Sequence, residues 1–109
     1  MKQTVTTKYT NNTYTAEVKK GESIKIINSV RYEGEATHNN EFKIGDEAEY
    51  DSWNLKYTGK IEKITDKSVF VKKMGDTCKR MTIAEFCDRN YDFDAQKVSD
   101  YNYNEMLYI

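Results

Sequence analysis

The stretch Phe42–Phe86 reads FKIGDEAEYDSWNLKYTGKIEKITDKSVFVKKMGDTCKRMTIAEF, and it decides the fold. Within Glu47–Trp53, small or apolar residues alternate with acidic ones, which is typical of a β-strand with two distinct faces. Turn residues such as Gly45-Asp46 and Gly75-Asp76 separate the short segments. The stretch therefore predicts four strands, at Glu47–Trp53, Tyr57–Ile64, Ser68–Met74 and Thr77–Met81.

A helix is predicted to follow the last of these strands. The residues Thr82–Glu85 form a capping box, in which the Thr hydroxyl and the Glu carboxylate bond to free amides at the helix start. Three apolar residues recur at helical spacing and are expected to face the sheet, namely Ile83, Phe86 and Cys87. The helix is predicted to end near Asn90, and a weak apolar stripe predicts a second helix from Ala95 to about Met106.

The N-terminal part of the chain is also rich in strand-forming residues. Thr, Tyr and Val predict a hairpin of Gln3–Tyr9 and Tyr14–Lys19 that turns at Asn11-Asn12. A third strand is predicted at Ser23–Val30. The segment Glu33–Glu41 has no apolar run, and we predict a loop there.

These elements predict one α+β domain over residues 1–109, because a chain of this length is typical of a single domain. The expected architecture is an antiparallel, β-rich small barrel or bent sheet of five to seven strands, with one or two C-terminal helices. Its parts are β-hairpins and a loop in 1–41, the central strands in 42–81, and a helical region in 82–109. The predicted core consists of Ile44, Ala48, Tyr50, Ile61, Val69, Val71, Ile83 and Phe86.

Composition limits where the protein acts. The sequence begins with no hydrophobic segment, so we expect neither export nor a membrane partner, and we predict a cytoplasmic protein. Cys78 and Cys87 are then expected to remain unbridged thiols. The net charge is −1, but acidic and basic residues are segregated along the chain, which favours a charged binding surface.

No motif of catalysis or of metal binding is visible in the sequence. His38 is the only histidine, and we expect it to lie alone in a polar surface loop. Glu47, Glu49 and Asp51 share one strand face, which we interpret as a solvated face rather than a cation site. We therefore predict a protein that is not an enzyme and that has no cofactor and no metal.

The central strands resemble the SH3-like small barrels of the KOW and Tudor types. The matching residues are Gly45-Asp46 at the first turn, Gly59-Lys60-Ile61 in the next strand, and Val69-Phe70-Val71 in the strand after it. The whole chain also looks like the short accessory proteins of phages and mobile elements. That resemblance implies a binding protein, including the anti-CRISPR type of inhibitor, in a bacterial cytoplasm.

Two functional hypotheses follow. The first is a stoichiometric inhibitor or adaptor that binds a host nucleic-acid-handling protein, such as a CRISPR effector. Nine tyrosines exceed what a core of this size holds, and the acidic C-terminal segment suits a basic partner cleft. The predicted contact residues are Glu85, Asp88, Asp92, Asp94, Asp100, Tyr101, Tyr103 and Glu105.

The alternative is a small barrel that binds DNA or RNA directly through a lysine-rich face. Its predicted phosphate contacts are Lys56, Lys60, Lys72, Lys73 and Arg80. Aromatic residues nearby, among them Tyr57, Phe70 and Trp53, would stack on bases.

Overall fold

The computed structural model describes residues 1–52, 56–73, 75 and 77–94. In this part of the chain there are eight strands and one short helix. They are β1 (Lys2–Thr6), β2 (Thr13–Lys19), β3 (Ser23–Arg31), β4 (Gly34–Lys43), β5 (Glu47–Ser52), β6 (Lys56–Ile64), β7 (Ser68–Lys72), β8 (Cys78–Thr82) and α1 (Ile83–Asn90). The prediction of an antiparallel, β-rich fold with a helix after the strands is confirmed, but the eight strands exceed the five to seven that were expected.

Strands β1 to β4 form the first antiparallel sheet, in that order. In β2, buried Tyr14, Ala16 and Val18 alternate with half-exposed residues, so one face of the strand packs inward. The chain turns before β2 at Asn11, whose φ of 55° is the left-handed geometry that Asn tolerates. The turn predicted there is confirmed.

The segment predicted as a loop, Glu33–Glu41, is mostly strand, so that prediction was wrong. It belongs to β4, which pairs with β3 from Ser23 to Arg31. Phe42 is the one buried residue of β4, and the other side chains of the strand are exposed or half-buried. The strand therefore shows no apolar alternation in the sequence, and its hydrogen bonds to β3 hold it in the sheet instead.

Strands β5 to β8 form the second antiparallel sheet, again in sequence order. Ile61 pairs with Val71, and Val69 pairs with Met81, so the buried residues of neighbouring strands lie side by side. Gly59 lies where β6 runs against β7, and a Cβ at this position would collide with the carbonyl oxygen of Lys72. A glycine is required here because the two backbones approach closely.

The two sheets are not closed into a barrel, so the barrel form of the prediction was wrong and two separate sheets take its place. Strands β4 and β5 are consecutive, yet they belong to different sheets. The Asn40 side chain of β4 donates to the Tyr91 carbonyl at 2.7 Å, while Asn90 bonds to the Glu49 backbone in β5. The end of α1 thus bonds to both strands where a closed barrel would pair them directly.

Both sheets and α1 share one hydrophobic core. Seven of the eight predicted core residues are buried, which leaves Ile44 as the error, because its side chain is 43% exposed in the turn before β5. The first sheet adds core residues outside the predicted set, namely Tyr14, Ala16, Val18, Ile24, Ile26 and Phe42. The ring of Phe42 contacts Phe86 edge to face, with centroids 5.1 Å apart, and so joins the first sheet to α1.

The helix α1 starts as predicted. The Thr82 hydroxyl accepts a hydrogen bond from the Glu85 amide at 3.1 Å, and Ile83, Phe86 and Cys87 are buried. The second predicted helix, from Ala95 to Met106, lies outside the described residues. Within the described ranges, no helix is long and apolar enough to cross a membrane. Cys78 is exposed, Cys87 is buried, and neither forms a disulfide.

Candidate functional site

A basic depression lies on the outer side of the second sheet and encloses about 730 Å³. Its walls come from three places in the chain: the turn between β2 and β3, the turn between β6 and β7, and the outer faces of β6, β7 and β8. It is lined by Lys20, Lys63, Thr65, Asp66, Lys67, Ser68, Phe70 and Arg80.

The strand register places a ring between two cations. Phe70 in β7 pairs with Lys63 in β6 on one side and with Arg80 in β8 on the other. The Lys63 ammonium lies 5.5 Å from the centroid of the Phe70 ring, and the Arg80 Nε donates to the Ser68 hydroxyl at 3.1 Å. Because neighbouring strands are about 4.8 Å apart, the three side chains form one continuous row. The ring itself is half-buried.

Two further lysines reach the depression from turns. The Gly21 amide donates to the Ile64 carbonyl at 2.8 Å, which holds the β2–β3 turn, and with it Lys20, against the end of β6. In the β6–β7 turn, the Thr65 hydroxyl accepts from the amides of Lys67 at 3.2 Å and Ser68 at 2.9 Å. Both turns are therefore fixed by hydrogen bonds, and the lysines project from ordered backbone.

The charges in the depression are unbalanced. Lys20, Lys63, Lys67 and Arg80 face one carboxylate, Asp66, which leaves a local formal charge of +3. Among the described residues, none of these four cations lies within 4 Å of a carboxylate oxygen. Unbalanced cations beside a partly exposed aromatic ring favour an anionic ligand that also offers a flat surface.

The lysine-rich face predicted from the sequence is only partly assembled, since Arg80 alone of its five residues lines the depression. The Lys56 ammonium lies 3.7 Å from a Glu49 oxygen, and the Lys72 ammonium lies 3.8 Å from a Glu62 oxygen. Lys60 is exposed in β6, opposite Glu47, and Lys73 follows the end of β7. Two of the predicted phosphate contacts are thus already paired with carboxylates.

The five phosphate contacts predicted from the sequence do not include Lys20, Lys63 or Lys67, although Lys63 and Lys67 belong to the same run of lysines along the central strands. Phe70 carried a usable signal, because it has the opposite strand parity to its neighbours Val69 and Val71 and so points outward. Lys63 carried no such signal, because a register shift between Ile61 and Lys63 places it opposite Phe70. Lys20 carried none, because it joins the site only through packing of the first sheet against the second.

Of the acidic residues predicted to contact a protein partner, Glu85 and Asp88 line one depression between α1 and the β1–β2 turn, whereas Asp92 and Asp94 do not line it. Glu85 is exposed and takes part in the helix cap, where the Thr82 hydroxyl lies 3.3 Å from its carboxylate. Asp92 and Asp94 are exposed after α1. The Asp88 carboxylate accepts hydrogen bonds from other residues of the protein. The remaining predicted contacts lie outside the described residues, namely Asp100, Tyr101, Tyr103 and Glu105.

Asp88 is the centre of a polar cluster that joins α1 to the first sheet. One of its oxygens accepts from Tyr14 Oη at 2.5 Å, from Asn12 Nδ2 at 3.1 Å and from Arg31 at 3.3 Å. The Arg31 guanidinium also lies over the Tyr91 ring, 4.4 Å from its centroid. Burial, and then the hydrogen bond to Asp88, raises the pKa of the Tyr14 phenol well above its usual value. The cluster therefore has a structural role.

The prediction that Glu47, Glu49 and Asp51 form a solvated face was wrong for Glu49. Glu49 is buried at 5% exposure, and its burial raises the pKa of its carboxyl group. Asp51 lies 3.7 Å from the Arg89 guanidinium, so only Glu47 points freely into solvent among the three. In the part of the chain that the structure describes, no cluster of three or more His, Cys, Asp or Glu residues could hold a metal ion.

His38 does not lie in a loop, which corrects the expectation from the sequence. It is a half-buried residue of β4, and its Nε2 lies 2.8 Å from the Ser29 hydroxyl. Its ring meets the edge of Tyr91, with centroids 5.5 Å apart. Because Ser29 is 2% exposed, its hydroxyl is closed to a substrate, and the His38 ring packs against Tyr91.

The chain exposes a large side chain at each of two hairpin turns, and Tyr9, between β1 and β2, is 87% exposed. Tyr32 is fully exposed between β3 and β4, and Val30, two residues before it, is 47% exposed.

Comparison with known proteins adds no relative: no family model matches this chain, and no curated protein or solved structure is significantly similar to it. The candidate sites are therefore defined by their geometry.

Proposed function

We propose that this protein binds nucleic acid directly through the basic depression and does so without catalysis. The observation that carries the proposal is the group of four cations around Phe70, which have no carboxylate partner among the described residues. Phosphates release their counterions when they bind such cations, and this release drives most non-specific binding to nucleic acid. The cations and the ring match the two parts of a nucleotide, its phosphate and its base.

A binding role fits this surface better than a catalytic one. The residues that line the depression include one carboxylate, two hydroxyl groups and no His or Cys. A hydrolytic or transfer reaction needs a positioned nucleophile with a base or a metal, and this set offers neither arrangement. A cytoplasmic location, as expected from the sequence, belongs to the same proposal because nucleic acid is present there.

The experiment compares two double variants, each of which removes two positive charges from the protein surface. Lys63→Gln/Arg80→Gln changes the depression, and Lys2→Gln/Lys8→Gln changes exposed cations that do not line it. Binding of a labelled 20-nucleotide DNA strand is measured by fluorescence anisotropy at 0.1 M salt. We expect the first variant to bind about 10- to 30-fold more weakly and the control to change less than about twofold.

Two results would overturn the proposal. One is an absence of binding by the unaltered protein even at low salt, where electrostatic binding is strongest. The other is an equal loss in both double variants, which would mean that the strand follows net charge and not the depression. Circular dichroism and thermal unfolding of both variants establish that the fold is retained.

A second candidate function is stoichiometric inhibition of a host protein that handles nucleic acid. The observation in its favour is the fully exposed Tyr32 at the tip of the β3–β4 hairpin, because exposed Tyr residues are frequent anchors of protein interfaces. The likeness to phage or anti-CRISPR proteins belongs to this candidate, whereas the likeness to SH3-like barrels belongs to the direct binding of nucleic acid. Its test is titration of a purified CRISPR effector: Tyr32→Ala should abolish an inhibition that ends at a 1:1 ratio, while the depression variant should retain it.

A further inference from the structure

We infer that the ligand of the basic depression is a single strand, of which one base stacks on Phe70 while its flanking phosphates bind the cations on either side. This inference rests on the proposed function and adds the class of nucleic acid and the role of the ring. It assigns Phe70 as the residue that recognises a base, and Lys63 and Arg80 as its phosphate contacts.

The position of Phe70 carries the first step. Its neighbours in β7, Val69 and Val71, are completely buried in the shared core, and Phe70 points to the opposite face of the sheet. An apolar ring on that outer face is not needed to complete the core. It lies instead in the floor of a depression that is open to solvent and is rimmed by charged side chains.

The spacing of the row carries the second step. Lys63 and Arg80 are the direct cross-strand neighbours of Phe70, on opposite sides of it. The backbone of each residue is therefore one strand spacing, or about 4.8 Å, from the backbone of Phe70. A nucleotide whose base covers Phe70 has a phosphate on each side, and both phosphates fall within reach of these long cationic side chains.

The third argument is that only an unpaired base can stack on Phe70. In a duplex the faces of the bases are covered by their stacked neighbours, so a ring in the floor of a depression cannot reach them. A single strand turns its bases outward without breaking pairs, and aromatic side chains then stack on them with little dependence on sequence. Lys20 and Lys67 also line the depression and extend the positive surface beyond the row.

Binding requires one local rearrangement. In the free protein the Lys63 ammonium lies over the Phe70 ring, 5.5 Å from its centroid. A cation–π contact at an exposed site is weaker than the stacking of a base on an aromatic ring. The base therefore displaces the ammonium, which moves onto the adjacent phosphate, so that the same lysine shields the ring when free and neutralises the ligand when bound.

The test uses three labelled probes of equal length: a 12-nucleotide DNA strand, the same strand with abasic sites throughout, and the corresponding duplex. The abasic strand keeps every phosphate and lacks the bases. The variants are Phe70→Leu, which removes the ring from a half-buried site, and Phe70→Tyr, which restores it. Tyr32→Leu is the control, because it removes an exposed ring that does not line the depression.

We expect the unaltered protein to bind the base-bearing strand about 5- to 100-fold more tightly than the abasic strand. Phe70→Leu should remove this difference without weakening binding to the abasic strand, and Phe70→Tyr and Tyr32→Leu should both retain it. Equal affinity of the unaltered protein for all three probes would overturn the inference while leaving the proposed function intact. Failure to bind any of the probes would overturn the proposed function as well.

Discussion

The side chain of Asn90 bonds to both backbone groups of Glu49. The Glu49 amide donates to Asn90 Oδ1 at 2.8 Å, and Asn90 Nδ2 donates to the Glu49 carbonyl at 3.0 Å. Asn90 is fully buried at the end of α1, and its Nδ2 also donates to the Phe86 carbonyl at 3.0 Å. The amide thus replaces a neighbouring strand at the edge of β5, where the two sheets separate.

Replacing Asn90 by Ala should therefore be strongly destabilising. The change leaves the amide and the carbonyl of Glu49 buried without a partner, and each such group costs about 1–3 kcal/mol. We expect the free energy of unfolding in a urea titration to fall by about 2–4 kcal/mol. Asn39→Ala, at an exposed site in β4, serves as the control and should change it by less than about 0.5 kcal/mol. A loss below about 1 kcal/mol for Asn90→Ala would mean that water reaches β5 at this edge.

The carboxyl group of Glu49 should make stability depend on pH. Burial raises its pKa in the folded protein, although Lys56 and Arg89 act in the opposite direction. Ionisation is then more favourable in the unfolded chain, so stability is lost as the pH rises from the unfolded pKa through the folded one. Glu49→Gln removes this loss, and the stability of the variant relative to the unaltered protein should increase between pH 4 and pH 7.

Thermal unfolding of both proteins at several pH values measures this difference. Glu47→Gln, at an exposed position of the same strand, is the matched control and should give a nearly constant difference. If the relative stability of Glu49→Gln decreased toward pH 7, the attraction to Lys56, at 3.7 Å, would outweigh the cost of burial.

The second sheet and α1 were predictable because their signals are local. The alternation in Ser68–Met74 and the capping box at Thr82 each act within a few residues, and both elements formed where they were expected. β4 was not predictable in this way, since one buried residue in ten gives no periodic pattern. Its strand conformation depends on β3, and a partner strand is not visible in the composition of the segment itself.

The same distinction between local signals and contacts distant in sequence applies to the candidate site. The pairing of Phe70 with Arg80 follows from strand parity and register within one sheet, whereas Lys63 joins the row through a register shift between Ile61 and Lys63. Lys20 and the involvement of Asp88 in a polar cluster depend on contacts between residues that are 40 to 80 positions apart, such as Asn12 with Asp88. Charge segregation along the sequence therefore indicated a basic surface, but four of the five cations predicted for it lie outside the depression.

Asp88 and Asp92 should differ sharply although the sequence assigns them the same role. Asp88→Asn weakens the charged hydrogen bonds to Tyr14 and Arg31, for which we expect a loss of about 1–3 kcal/mol in the free energy of unfolding. Asp92→Asn changes an exposed residue and should have an effect below about 0.5 kcal/mol. Equal and small effects in a urea titration would show that the cluster around Asp88 is dispensable. Loss of partner binding in an Asp88 variant can then be interpreted only after its stability is known.

The two thiols should differ in reactivity with iodoacetamide at pH 8. Burial raises the pKa of the Cys87 thiol to about 12, whereas Cys78 is exposed, and its hydrogen bond to the Glu62 carboxylate raises its pKa more modestly. We expect mass spectrometry to find Cys78 modified first and Cys87 only after unfolding in guanidinium. Glu62→Gln should accelerate modification of Cys78, since it removes the charge that disfavours the thiolate. Equal rates for the two thiols in the native protein would show that the core opens around α1.

The salt dependence of binding should report how many cations of the depression contact phosphates. The logarithm of the affinity for a single strand falls with the logarithm of the salt concentration, with a slope of about −0.7 for each phosphate neutralised. Contacts from Lys20, Lys63, Lys67 and Arg80 would give a slope of about −2.8, and Lys63→Gln/Arg80→Gln should reduce it to about −1.4. The net charge of the whole protein is −1, so its overall charge cannot attract the strand and a steep slope must arise from a local surface. Titrations at four or more salt concentrations measure the slope, and an unchanged slope in the double variant would place the phosphate contacts elsewhere on the protein.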